Sequence, residues 1–275
     1  MRVPVFLLAA VIGAGCMQLS GQGVEYDLMI QGAVDWELQP LLAALEHKKE
    51  RQIEAWTYWT GNIGRLSVVL ARTGVGPINA TASTLVGIEN FHPKAVINQG
   101  TAGGHDPNLQ LYDIVLGEKT VDFGAYQSEH GDAGSGTKPD RWHPAFHKLN
   151  GVVYRAFVGD PELMAEALQV RNERGRVVKG TVGSAFQYNR ELDRIAWLRR
   201  TYGTDSEDME SAFAAGIATA MHVPFLAIRI LSDSEWNHPQ LERKAGDYCA
   251  EFSVKLARRM EERTRIDEKG VIKRN

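Results

Sequence analysis

Cysteine is scarce: only Cys16 and Cys249 occur in 275 residues. Two thiols so far apart, one of them inside an apolar N-terminal stretch, exclude a disulfide-built scaffold. No zinc-ligand spacing occurs either, so neither a metal nor a cofactor is expected. Excess positive charge is also lacking, with 31 Lys and Arg against 34 Asp and Glu and a net charge of -3. Without a basic field, nucleic acid and anionic lipid are poor partners, and a small molecule suits the chain better. A fixed-period repeat and a long internal linker are missing, which leaves one domain as the simplest organisation.

Long hydrophobic runs are missing as well. The run at residues 3–15, VPVFLLAAVIGAG behind Met1-Arg2, is too short to span a bilayer comfortably and has the make-up of an export signal. A signal peptide over residues 1–23 and a mature domain over residues 24–275 are therefore expected. Two kinds of processing fit it: plain cleavage near residues 21–23, or a lipid on Cys16 behind Gly13, Ala14 and Gly15. Either implies export, to a periplasm or to an anchored position on the envelope. Cys249 lies within the apolar rhythm of Tyr248, Phe252 and Leu256 and reads as a small core residue.

What is present is ordinary globular material, 44% hydrophobic and 24% charged. Apolar runs bounded by turns alternate with amphipathic segments, as in an α/β fold with a central sheet wrapped by helices. Strands are expected at residues 26–32, 66–73, 94–100, 113–121, 176–183 and 224–233. Helices are expected at residues 36–45, 78–90, 161–171, 189–202, 209–222 and 240–263. Residues 128–144, SEHGDAGSGTKPDRWHP, read as a long loop.

Ligands of such sheets sit beyond the carboxyl ends of the strands, so the polar residues there carry the chemistry. In GAVDWELQ, Asp35 reads as a helix cap and Glu37 as a complement to the helix dipole. In NQGTAGG, three glycines surround the Thr101 hydroxyl, which favours a surface close to a ligand. In EDMESAFAAGIATAMHVP, Glu210 opens a helix apolar enough to be buried, where a carboxylate needs strong donors such as sugar hydroxyls. In PFLAIRILSDSEW, Arg229 stands in mid-strand and needs a partner, while Asp233 ends the strand and faces the crevice.

In this order and spacing, the segments resemble the nucleoside phosphorylase superfamily, and within it the hydrolytic methylthioadenosine/S-adenosylhomocysteine nucleosidase branch. The resemblance runs over roughly residues 26–256. It implies a single three-layer αβα domain around a mixed, mostly parallel twisted sheet. G-A-x-x-x-E implies that Glu37 activates water. The T-G-S-A-G-G loop falls on residues 99–104, with Thr101 for its serine and Ala102 and Gly103 beside the substrate. E-M-E-A falls on Asp208-Met209-Glu210-Ser211, which assigns Met209 and Glu210 to the ribose. R-x-x-S-D falls on Arg229 to Asp233, making Asp233 the purine-facing acid, with Arg229 and Ser232 among the binding residues. Phe186 is the aromatic expected to stack on the base, with Gln187 next to it.

The chain departs from the pattern at Ser184, where an Asp is common, at Gln187, where an apolar residue is common, and at Gly74-Val75-Gly76-Pro77. The implied reaction is hydrolysis of a purine nucleoside's N-glycosidic bond, with catalysis by Glu37, Glu210 and Asp233. A homodimer is expected. Two rivals stay open: a phosphorylase, told apart by its need for phosphate, and an exported receptor that binds nucleosides without cleaving them.

Overall fold

A computed structural model describes residues 25–268. The apolar run at residues 3–15, Cys16 and the expected signal peptide lie outside the described residues.

The chain begins with β1 (Leu28–Gly32), a short 3-10 turn (Asp35–Glu37) and α1 (Gln39–Ala44), and continues into β2 (Glu46–Ile53), β3 (Trp56–Ile63) and β4 (Leu66–Arg72). Next come α2 (Pro77–Phe91), β5 (Val96–Gly104) and β6 (Ile114–Asp122). Two small ribbons follow, β7 (Tyr126–Gln127) with β8 (His143–Pro144) and β9 (His147–Leu149) with β10 (Val152–Tyr154). The rest is β11 (Phe157–Val158), α3 (Pro161–Ala167), β12 (Val177–Ser184), α4 (Leu192–Tyr202), β13 (Ser206–Asp208), α5 (Ser211–Ala220), β14 (Phe225–Asp233) and α6 (Lys244–Glu268).

Ten strands form one sheet in the order β11-β6-β12-β13-β5-β1-β4-β3-β2, and β14 bonds to both β5 and β6. It runs parallel to β5 and antiparallel to β6. Because β6 continues through β12 and β13 back to β5, these five strands close a ring. The sheet is mixed: β1 lies parallel to β4 and β5, whereas β2, β3 and β4 form an antiparallel meander.

Alternation along the strands builds the layers. Leu28 and Ile30 of β1, Val68 and Leu70 of β4, and Leu226, Ile228 and Ile230 of β14 join Leu41 of α1, Leu163 of α3 and Cys249, Phe252 and Leu256 of α6. The intervening Met29, Val69, Ala71, Ala227 and Leu231 join Ile88 and Phe91 of α2 and Ala214, Ala215 and Ala218 of α5. Helices therefore cover both faces. Cys249 is fully buried, as expected of a core residue.

Several expected elements are reshaped locally. The helix expected at residues 36–45 splits into the 3-10 turn and α1, with Pro40 in the first turn of α1. Asp35 does not cap it; its carboxylate pairs instead with Arg72 at 2.7 Å. The helix expected from residue 189 starts at Leu192, because Asn189 is bonded elsewhere. Helix α5 starts at Ser211, with Glu210 at its cap position. Strands β2 and β3 were not expected, and the long loop starts just after β7 and ends in β8, which pair with each other, with Tyr126 stacked on Trp142 at 4.3 Å.

Candidate active site

The carboxyl ends of β1, β4, β5, β13 and β14 surround a cavity of about 160 Å³. Glu37, Thr101, Ala102, Gly103, Gln187, Met209, Glu210, Ser232 and Asp233 all line it, together with Tyr188, Glu207 and a rim of Val34, Trp36, Val75 and Leu241. Among the described residues, no Lys, Arg or His lines it.

Glu37 follows β1 on the short turn and is almost fully buried. One carboxylate oxygen accepts the Ala33 N–H at 2.9 Å, and the other accepts the Thr101 N–H at 2.9 Å and the Thr101 hydroxyl at 3.0 Å. Thr101 thus spends its hydroxyl on Glu37. A carboxylate has about four acceptor sites, so with three donors in place about one is left for a water. The turn itself is fixed from below, where Gln99 Nε2 donates to the Glu37 carbonyl at 2.8 Å. Gly100 is required here by close approach: a Cβ would collide with Arg229 Nη1 and come within 2.7 Å of Glu37 Oε1.

Asp233 is aimed by an irregularity in β14. The register with β5 shifts between Leu231, opposite Ala102, and Asp233, opposite Gly103. In a regular strand consecutive side chains point to opposite faces, yet Ser232 and Asp233 both reach the cavity, which the extra residue permits. Ser232 Oγ donates to Asp233 Oδ1 at 2.7 Å, and the Tyr188 hydroxyl donates to Oδ2 at 2.8 Å. Burial raises the Asp233 pKa above the usual carboxylate value; those two hydrogen bonds oppose the shift, and nearby Glu207 and Glu235 add to it.

Glu210 stands at the start of α5. Its Oε1 accepts the Gly76 N–H at 2.8 Å, and Oε2 lies 3.3 Å from the Met209 N–H. Burial pushes its pKa up to about 7; Arg229 and the Gly76 N–H work against this, while Asp208 and Glu37 reinforce it. Gly76 delivers its N–H with φ at 93°, a backbone shape that side chains disfavour, and a Cβ there would lie 2.8 Å from the Phe186 ring.

Arg229 is absent from the cavity wall. It is 1% exposed and points back beneath the site, with Nε 2.6 Å from Asp208 Oδ2 and 3.0 Å from Ser211 Oγ, and Nη2 bonded to Asn98 Oδ1. Its expected place among the binding residues is corrected: a buried guanidinium must be paired, and these partners take its donors. Burial opposes its charge, but Asp208, Glu210 and Glu37 hold its pKa above the ordinary arginine value. Ser184, which stands where an Asp is common, also belongs to this buried network, donating to Asp208 Oδ1 at 2.5 Å. Phe186 does not line the cavity either. Its side chain is 73% exposed and rests against the Gly76 turn, because residues 185–190 run irregularly between β12 and α4.

Two side chains escaped the sequence reading. Tyr188 sits two residues past the expected stacking aromatic, and no periodicity marks a residue in an irregular segment. Glu207 directly precedes Asp208-Met209-Glu210; it is buried, accepts from the Asn189 N–H at 2.9 Å and from the Asn189 side-chain amide at 2.5 Å, and lies 3.1 Å from His105 Nε2. An acid in a three-residue strand carries no local sign of such a role.

The family model described as the Phosphorylase superfamily matches residues 27–263. A curated relative, the 5′-methylthioadenosine/S-adenosylhomocysteine nucleosidase of Bacillus licheniformis, is 27% identical over 243 residues, covering 85% of this chain and 99% of its own. Among solved structures, the Campylobacter jejuni 5′-methylthioadenosine/S-adenosylhomocysteine nucleosidase superposes with a TM-score of 0.73 at 22% identity, over 86% of this chain and 99% of the other. The Helicobacter pylori futalosine hydrolase, as a mutant, gives 0.69 at 19% identity, over 85% and 99%. Because the family model matches most of the chain, the chain belongs to the phosphorylase superfamily.

Proposed function

We propose that the chain is an N-glycosyl hydrolase that cleaves purine nucleosides such as methylthioadenosine or S-adenosylhomocysteine into the free base and the ribose moiety. The observation that carries this reading is the convergence of Glu37, Glu210 and Asp233 on one cavity without a cationic wall. The curated relatives' activity, at 27% identity over nearly their full length, points the same way.

Cleavage of a ribosyl C–N bond develops positive charge on the sugar and negative charge on the leaving base. Asp233, with its raised pKa, is suited to hold a proton and pass it to the base nitrogen as the bond breaks. Glu37, with one acceptor site left, takes a proton from the attacking water. Glu210, once ionised, accepts from the ribose hydroxyls and favours the cationic sugar, against which Met209 packs. Arg229 holds Asp208 and Glu210 from below and keeps clear of the substrate.

Phosphorolysis fits less well. A phosphate dianion in this cavity would meet carboxylates, and Arg229, the nearest guanidinium, is sealed into its buried pairs. The test is product analysis on methylthioadenosine with and without phosphate. Free methylthioribose and adenine are expected in both cases; preferential formation of the ribose 1-phosphate would overturn hydrolysis, and tight binding without turnover would favour the receptor reading.

Two further parts of the proposal concern where and how the chain works. Export is supported by the signal-like composition of residues 1–23 and is checked by N-terminal sequencing of protein from the native host, where an intact Met1 would refute it. Homodimerisation is supported by the exposed apolar side chains Val75, Ile78, Phe186 and Leu241, gathered near the cavity mouth, and is checked by sedimentation.

A further inference from the structure

Asp233 has two partners, and only one of them is built into the strand. Ser232 is fully enclosed and adjacent to it, whereas Tyr188 comes from the irregular residues 185–190, with about half of its surface exposed. The Tyr188 hydroxyl lies 2.8 Å from Oδ2, inside the cavity wall. A base that takes a proton from Asp233 needs an oxygen of that carboxylate, and Oδ1 is already engaged by Ser232. The cavity, at about 160 Å³, is smaller than the roughly 300–1,000 Å³ of ordinary small-molecule pockets, and Tyr188 is part of the wall that narrows it.

We propose that Tyr188 is a positioning residue that competes with the purine for Asp233: its hydroxyl holds Oδ2, and the incoming base displaces it. This rests on the hydrolase reading above. Residues 185–190 are anchored at their ends. Their far end is fixed by the two Asn189 donors on Glu207, which is backed in turn by His105, and by the Arg190–Glu235 pair at 2.7 Å. Between those anchors and Ser184 at the end of β12, Tyr188 has no other hydrogen-bond partner among the described residues. Swinging out, it exposes Oδ2 to the base while Asn189 stays in place.

The exchange alters the acid at the moment of binding. A hydrogen bond donated to a carboxylate favours its ionised form, and its loss favours the protonated form. The other groups facing this pair are Ser232 from β14, Glu207 from β13, and Glu235 and Arg190 beyond the strand ends. Asp233 thereby becomes the better proton donor as the purine arrives.

The test compares the wild type with Tyr188→Phe, whose half-exposed ring leaves the core untouched. Adenine affinity, measured by calorimetry, is expected to tighten about three- to tenfold, the worth of one hydrogen bond no longer given up. With methylthioadenosine as substrate, the alkaline fall of kcat/KM, which reports the free enzyme, is expected to move up by about half a pH unit to one unit. The fall of kcat, which reports the bound enzyme, is expected to hold its position. A purely structural tyrosine would shift neither profile. Adenine affinity unchanged within twofold, or kcat falling in step with kcat/KM, overturns the proposal. A wild type that binds adenine but does not cleave methylthioadenosine overturns the hydrolase reading alone, since the calorimetric comparison still decides the role of Tyr188. A wild type that does not bind adenine overturns both.

Discussion

Replacing Asp233 by Asn keeps the shape of the side chain and removes its proton. If Asp233 is the general acid, kcat and kcat/KM for methylthioadenosine fall together by about 10²–10⁴-fold, while circular dichroism shows an intact fold. Near-wild-type kcat would assign the acid elsewhere. Glu210 makes a prediction about stability and pH. Its folded pKa of about 7 lies above the ordinary glutamate value of 4.5, so between these values the folded chain holds a proton that the unfolded chain releases. The stabilising proton is fully bound below about pH 4.5 and is lost as the pH rises through 7. Urea denaturation of the wild type measured against Glu210→Gln should therefore show a difference that declines over that window and levels off above it; a flat difference would mean Glu210 is ionised throughout. At this scale the sequence was legible where a residue type is costly to bury, as with Glu210 and Arg229, since such groups must find partners. It was silent on Tyr188 and on the direction of Arg229, because both depend on which neighbours the tertiary fold supplies.

The turn between β4 and α2 does catalytic-site work with backbone alone. Gly76→Ala forces a side chain into the disfavoured φ of 93° and against Phe186, at a cost of about 1–3 kcal/mol. It also shifts the N–H that holds Glu210. The expected result is a lower urea midpoint and a raised KM, since ribose contact is lost before chemistry; unchanged kinetics would show that Glu210 is held well enough by Met209 alone. Other elements explain what could and could not be read in advance. Strands β1, β4, β5, β6, β12 and β14 were legible because they are apolar runs cut by turns. Strand β2, EHKKERQI, was not, since it is exposed along most of its length and mostly charged, as suits the free edge of a sheet. The bulge at Ser232 leaves no trace in composition, although it is what turns Asp233 toward the cavity.

In the whole molecule, the ring of β5, β13, β12, β6 and β14 makes the central strands interdependent. Ile228 of β14 is fully buried between β5 and β6, opposite Gln99 on one side and Leu116 on the other. Ile228→Ala should cost about 2–5 kcal/mol and lower the denaturation midpoint, with turnover per folded molecule largely kept, because the ring's backbone bonds still define the strand ends. A local loss of activity at unchanged stability would contradict that. Closure of the ring has one more consequence, for how such a protein can change over time. Glu37, Glu210 and Asp233 are placed by a strand end, a cap and a bulge, whereas Gln187 and Leu241, also in the cavity wall, stand on irregular segments. On the proposed reading, the cleaving carboxylates and part of the wall that meets the substrate sit on separable parts of the chain. Libraries randomised at those two positions should yield variants with redirected nucleoside preference and melting temperatures close to the parent, whereas the same effort spent on Ser232, Gly100 or Gly76 should lower the melting temperature.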